Sequence, residues 1–111
     1  MIYINCDSTD ATFWFAFERY AMDELDISDG YFMFWRTNPT LMIGRYQNTL
    51  SEINMPFAKA HNINIVRRIT GGGTIYTDMN GWQFSFIIKH SAQRIGFAAF
   101  TQPILDALSS I

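Results

Sequence analysis

The residues best suited to chemistry are consecutive: Arg67-Arg68-Ile69-Thr70-Gly71-Gly72-Gly73-Thr74-Ile75-Tyr76-Thr77-Asp78. Three glycines in a row let the backbone approach a ligand with no Cβ in the way, and successive N–H groups can form a concavity for an anion. Side chains alternate along a strand, so only one of Arg67 and Arg68 can aim into such a site. A guanidinium there would hold a carboxylate or phosphate through two parallel hydrogen bonds, and Thr70 adds a hydroxyl donor. The same residues also make a plain glycine hairpin with two solvated arginines, and from the glycines alone that is the simpler account. No Lys-Ser/Thr follows the glycines, so the segment is not a P-loop, and it does not match the dinucleotide fingerprint.

Other reactive side chains form no pattern. Glu18 and Asp78 read as helix-surface and strand-end charges rather than an acid–base pair. His61 and His90 stand apart from any Cys or Asp/Glu spacing that ligates metal, so no protein metal site is expected. Cys6, the one cysteine, forms no internal disulfide, and without a placed His it reads as a bystander thiol.

The elements that must position the glycines follow from periodicity and turn residues. Ile2–Asn5 suits a short strand. Asp10 is placed to cap a helix over Ala11–Leu25, with Phe13, Phe17, Tyr20 and Ala21 on one face. Asp29-Gly30 breaks into a strand over Tyr31–Arg36, and Asn38-Pro39 turns the chain into Leu41–Tyr46, which reads as a hairpin. Asn54 and Pro56 start a short helix that stops at Asn62. Strands over Asn64–Arg68, Thr74–Asp78 and Trp82–Lys89 follow, the last two joined through Asn80-Gly81. Phe97, Phe100, Ile104, Leu108 and Ile111 recur at helical spacing around Pro103, where a kink or a later start is expected. Helices mixed with hairpins predict an α+β domain: a mainly antiparallel sheet flanked by helices on one face.

Composition narrows the class further. The chain has 111 residues, 8 basic and 10 acidic, for a net charge of −2, too little clustered positive charge for nucleic-acid binding by phosphate neutralisation. Its apolar runs fall far short of the ~20 residues that cross a bilayer, and Arg19 is its first basic residue, so no membrane or secretory role is expected. With one cysteine, the expected compartment is the cytoplasm. Charged residues make up 16% and aromatic residues 16%, against roughly a quarter charged in an average domain. Leu108-Ser109-Ser110-Ile111 is still in helical register, so apolar surface is expected to lie against a continuation of the chain or another subunit, with a homodimer one outcome.

Arg67–Asp78, read as RRITGGGTIYTD, resembles the signature of lipoate–protein ligases, part of the wider biotin/lipoate ligase and octanoyltransferase group. Phe15-Ala16-Phe17-Glu18-Arg19-Tyr20 is similar to that family's N-terminal helix. Phe34-Trp35-Arg36 through Pro39-Thr40, then Ile43-Gly44-Arg45-Tyr46-Gln47-Asn48, are similar to its first hairpin, and Trp82-Gln83-Phe84-Ser85-Phe86 to the strand after the loop. The resemblance implies a partial biotin/lipoate ligase-like fold, with residues 1–111 as the incomplete N-terminal portion of a catalytic domain. It implies ATP with Mg2+ and lipoate as substrates, lipoyl-adenylate as intermediate, and transfer to a lysine of lipoyl-acceptor domains of 2-oxoacid dehydrogenase complexes or of the glycine cleavage H protein. It puts Arg68, Thr70, Gly71, Gly72 and Gly73 around the adenylate phosphate and lipoyl carbonyl, Trp35 along the lipoyl channel, and Asp78 in the substrate-binding set.

Two departures bear on this. Thr77 stands where many members have His, so no imidazole role carries over. The family's lysine lies in a later segment beyond these residues, and neither Lys59 nor Lys89 has its context, so no catalytic residue is assigned. An acyltransferase moving lipoyl or octanoyl groups without ATP, and a non-catalytic binding or pairing module, remain the competing expectations.

Overall fold

The computed structural model describes residues 1–89 and 96–111. Its strands are β1 (Ile2–Ile4), β2 (Tyr31–Trp35), β3 (Thr40–Ile43), β4 (Asn64–Arg67), β5 (Ile75–Thr77) and β6 (Gln83–Ile87). Its helices are α1 (Ala11–Glu24), α2 (Thr49–Glu52), α3 (Met55–Ala60) and α4 (Phe97–Ser109). The class is α+β, and the strands form two three-stranded sheets, ordered β1-β2-β6 and β4-β3-β5. Each central strand has one parallel and one antiparallel neighbour, so the pairing is evenly mixed rather than mainly antiparallel.

Neither expected hairpin forms. β2 and β3, though consecutive, lie in different sheets, as do β5 and β6. The turn residues are where they should be: Asp78 accepts from the Asn80 N–H at 2.9 Å and its carbonyl from the Gly81 N–H at 3.2 Å. A turn reverses the chain without choosing its partner. Both crossings pass the same point, where the buried hydroxyls of Thr37 and Thr77 meet at 2.7 Å.

Helix α1 starts at the predicted cap, with the Asp10 carboxylate accepting from the Thr12 N–H at 2.8 Å. Its buried stripe is Ala11, Trp14 and Ala21, not the predicted Phe13 and Tyr20, which are exposed. The small residues bring the helix close to the sheet, and Trp14 fills the space between, its indole N–H held by the Ser8 carbonyl at 2.8 Å. Trp14, Met33, Trp35 and Ile87 form the core with Met42 of the second sheet, so one core joins both sheets. A smaller cluster of Ile43, Ile53 and Ala58 fixes α2 and α3. Asn54 caps α3 through the Phe57 N–H, and Asn62 leaves it at φ 53°.

The other face of the first sheet is aromatic. Phe32 pairs with Tyr3 and Phe86, and Phe34 with Phe84, while Trp82 stacks on Phe34 at 4.3 Å and 6°. Phe100 of α4 reaches Phe86 at 5.1 Å. The helices therefore meet both faces of this sheet, not one. α4 runs through Pro103 and buries none of its residues, and Trp82, Phe84 and Tyr3 are exposed.

Candidate functional site

The glycine segment is an arch. β4 runs parallel to β3 on one edge, and β5 antiparallel on the other. The chain from Arg68 to Thr74 must therefore cross over the end of β3, where Gly44 leads into the turn that ends at Asn48. The Arg68 N–H continues the ladder to the Ile43 carbonyl at 2.8 Å, and the Arg45 N–H then takes the Thr70 carbonyl at 2.9 Å. A Cβ on Gly44 would stand 1.9 Å from the Gly72 carbonyl oxygen, so backbone lies on backbone here. Gly72 itself sits at φ +102°, a conformation that favours glycine.

Gln47 joins the two layers. Its Oε1 accepts from the Gly44 N–H at 2.8 Å and from the Thr74 hydroxyl at 2.9 Å. The two arginines diverge as strand alternation requires. Arg67 turns to the lower layer, donating to the carbonyls of Gly44, Arg45 and Gln47 at 2.9, 3.3 and 2.8 Å and to the Thr49 hydroxyl at 2.7 Å. Arg68 turns beneath the arch, donating to Met42, Gly71 and Gly73 carbonyls at 2.7, 3.0 and 2.9 Å. Arg68 thus braces the loop instead of presenting an open two-pronged fork. Its charge stays beside the glycines, and with Arg45 and Arg67 it places three of the chain's eight basic residues at this end of the second sheet, a field that favours anions.

Gly71 and Gly73 differ from Gly72. Neither has positive φ, and among the described residues a Cβ on either would meet nothing within 4 Å. The fold imposes no reason for glycine at these two positions, and Thr70 beside them is exposed. The structure brings Arg68, Thr70, Gly71, Gly72 and Gly73 together. Asp78 lies past the far end of β5, about 10 Å along the strand, where it holds the turn to Gly81. Trp35 is in the core, 4% exposed, stacked on Trp14 at 5.6 Å and edged by Phe15 at 5.8 Å.

Trp35 belongs to a second polar feature. Its indole N–H donates to the Ser85 hydroxyl at 3.2 Å, and that hydroxyl donates to the Glu18 carboxylate. Glu18 is on the buried stripe of α1, seven residues after Ala11, so it is not the surface charge the sequence suggested. Burial pushes its carboxyl above the ordinary value, with the Ser85 hydrogen bond acting the other way. Among the described residues no group of three His, Cys, Asp or Glu could hold a metal ion. His90 lies outside them. No helix of the described residues is long and apolar enough to cross a membrane.

Sequence reasoning missed Gly44, Gln47 and Thr74 as partners of the loop and gave Arg67, on the opposite strand face from Arg68, no role at the site. The available signal was Gly-x-x-Gln between a strand and the helix cap Asn48: a glycine where the chain leaves a strand and a polar acceptor three residues on.

The family model described as Lipoyl protein ligase A/B catalytic domain matches residues 10–111. Lipoate–protein ligase 1 of Staphylococcus aureus is 40% identical over 108 residues, covering 96% of this chain and 33% of that protein. The crystal structure of P. falciparum LipL1 in complex with lipoate superposes with a TM-score of 0.83 at 22% identity, over 98% of this chain and 35% of that one. A lipoate-protein ligase A bound with ATP superposes at 0.78 and 20% identity, over 97% and 47%. The chain spans about a third of the length of the curated relatives it matches. With the family model matched over residues 10–111, this chain belongs to the lipoyl protein ligase A/B catalytic-domain family.

Proposed function

We propose that residues 1–111 form the N-terminal, substrate-binding portion of the catalytic domain of an ATP-dependent lipoate–protein ligase. The observation that carries this is the contrast within the glycine triad. Gly72 is locked by the fold, while Gly71 and Gly73 are glycines that only a ligand pressed against the backbone would require. Lipoate and ATP, entering with Mg2+, would give lipoyl-adenylate and pyrophosphate. The arch supplies pre-oriented N–H groups and the Arg68 charge to the adenylate phosphate, as stabilisation of developing charge demands. Thr70 adds a hydroxyl at the exposed rim.

In this reading the acyl chain runs toward Trp35, and Asp78 holds the turn behind β5. The lipoyl group then passes to a lysine of an acceptor domain, of the kind carried by 2-oxoacid dehydrogenase complexes or the glycine cleavage H protein, in the cytoplasm. The aromatic face of the first sheet supports a self-associating or subunit-covered assembly.

The test is pyrophosphate release by the intact protein. Release that requires both lipoate and ATP supports the reading. Acyl transfer from a carrier protein with no ATP dependence would overturn it in favour of an acyltransferase.

A further inference from the structure

We propose that Gln47 is the positioning residue of the glycine arch, a latch whose side-chain oxygen ties the turn after β3 to the returning limb of the loop. A carboxamide oxygen has two lone pairs, and both are used: one takes the Gly44 N–H at 2.8 Å, the other the Thr74 hydroxyl at 2.9 Å. Gly44 is buried and its N–H can only donate, so the oxygen, not the nitrogen, of the carboxamide must face it. The latch residue is itself pinned. Its backbone N–H donates to the Gly44 carbonyl at 3.1 Å, and its carbonyl accepts from Arg67 at 2.8 Å.

The placement gives the contact its consequence. Residues 70–73 are exposed, and among the described residues three anchors hold the 70–74 segment over β3. These are Arg45 N–H on Thr70, the Arg68 guanidinium on Gly71 and Gly73, and Gln47 on Thr74. Arg68 grips from the loop's own base. Among the described residues only Gln47 joins the far limb to the turn beneath through a side chain, at the point where the loop enters β5. Loss of this bond frees the limb that carries the Gly73 and Thr74 N–H groups, and a small displacement of oriented groups costs rate steeply. The link to catalysis rests on the loop's proposed role in adenylate formation; the latch itself does not.

The test uses the intact protein and reads two things. Amide hydrogen exchange in β5, Ile75–Thr77, the strand paired with β3 that the latch secures at its start, reports the latch without ligands. Thr74→Val is expected to speed exchange about tenfold, the effect of one lost hydrogen bond, and Gln47→Ala, which also loses the Gly44 N–H contact, at least as much, while Thr74→Ser, which keeps the hydroxyl, exchanges like wild type. Adding Thr74→Val to Gln47→Ala should change little, because Gln47→Ala has already removed the bond that Thr74→Val removes. In pyrophosphate release, both are expected to lower kcat about ten- to hundredfold with KM for lipoate nearly unchanged, and Thr74→Ser to restore it. Unchanged exchange in Thr74→Val, or full additivity in the double variant, overturns the latch. Faster exchange with unaltered kcat supports the latch and overturns the loop's proposed role in adenylate formation instead.

Discussion

Gly44 and Gly72 are 28 positions apart in the chain and in backbone contact in the fold, with 1.9 Å between the Gly72 carbonyl oxygen and a Cβ placed on Gly44. That closeness lets a seven-residue arch cross β3 without lifting away from it. Gly44→Ala must separate the two layers, since the obstructing atom belongs to the backbone and no rotamer relieves it. The expected destabilisation is about 1–3 kcal/mol, the usual range for overpacking, with adenylate formation lost. Urea unfolding and pyrophosphate release check the two effects.

The glycine triad should divide under alanine substitution. Gly72→Ala places a side chain at φ +102° and 3.1 Å from the Arg68 guanidinium, so about 1–2 kcal/mol of stability is lost. Gly71→Ala and Gly73→Ala should stay within about 0.5 kcal/mol of wild type, because a Cβ there meets nothing. Their cost appears only with ligand, as weaker ATP or lipoate binding by calorimetry. Undiminished binding in both variants would mean the open glycines serve no ligand.

Arg67 and Arg68 should both matter, through different layers. Arg67→Ala removes three hydrogen bonds to carbonyls of the Gly44–Gln47 turn and a fourth to the Thr49 hydroxyl, and is expected to cost about 1–2 kcal/mol. Arg68→Ala removes the brace under Gly71 and Gly73 together with the charge beside the loop, and is expected to slow adenylate formation about 100-fold. Arg68→Lys keeps the charge, but an ammonium cannot match the guanidinium's fixed fork, so it should recover little. Thermal unfolding and single-turnover adenylation separate the two arginines. Equal stability of Arg67→Ala and wild type would show that the turn holds without its clamp.

Local structure was legible because its causes are local. Asp10 and Asn54 cap helices, Asn62 takes positive φ, and the Asn80-Gly81 turn forms, each decided by a few adjacent atoms. What escaped was pairing over distance. The hairpin signals at Asn38-Pro39 and Asn80-Gly81 do bend the chain, the second as a hydrogen-bonded turn, but the Thr37–Thr77 contact and the shared core around Met42 send the following strands to another sheet. The glycine loop was visible as a motif, while its partners Gly44 and Gln47 lie some 25 residues away and show only when β4 and β5 flank β3. Glu18 was misjudged for a similar reason: the exposed Phe13 and Tyr20 drew the apolar face away from the Ala11, Trp14 and Ala21 stripe that Glu18 shares.

Glu18 supplies a pH dependence. Burial holds its carboxyl above the ordinary value in the folded protein, so the folded state binds that proton more tightly than the unfolded chain does. The stability contributed by protonated Glu18 is therefore full below the unfolded carboxyl's range and is lost as pH rises through the folded value. Glu18→Gln keeps a neutral group against Ser85 and does not titrate. Wild type measured against Glu18→Gln should thus lose relative stability as pH climbs through that window and then level off. Urea midpoints for the two proteins across the carboxylate range and up to neutrality test this. A relative stability that rises with pH would mean the Ser85 hydrogen bond outweighs burial, and that the carboxylate is the form the core prefers.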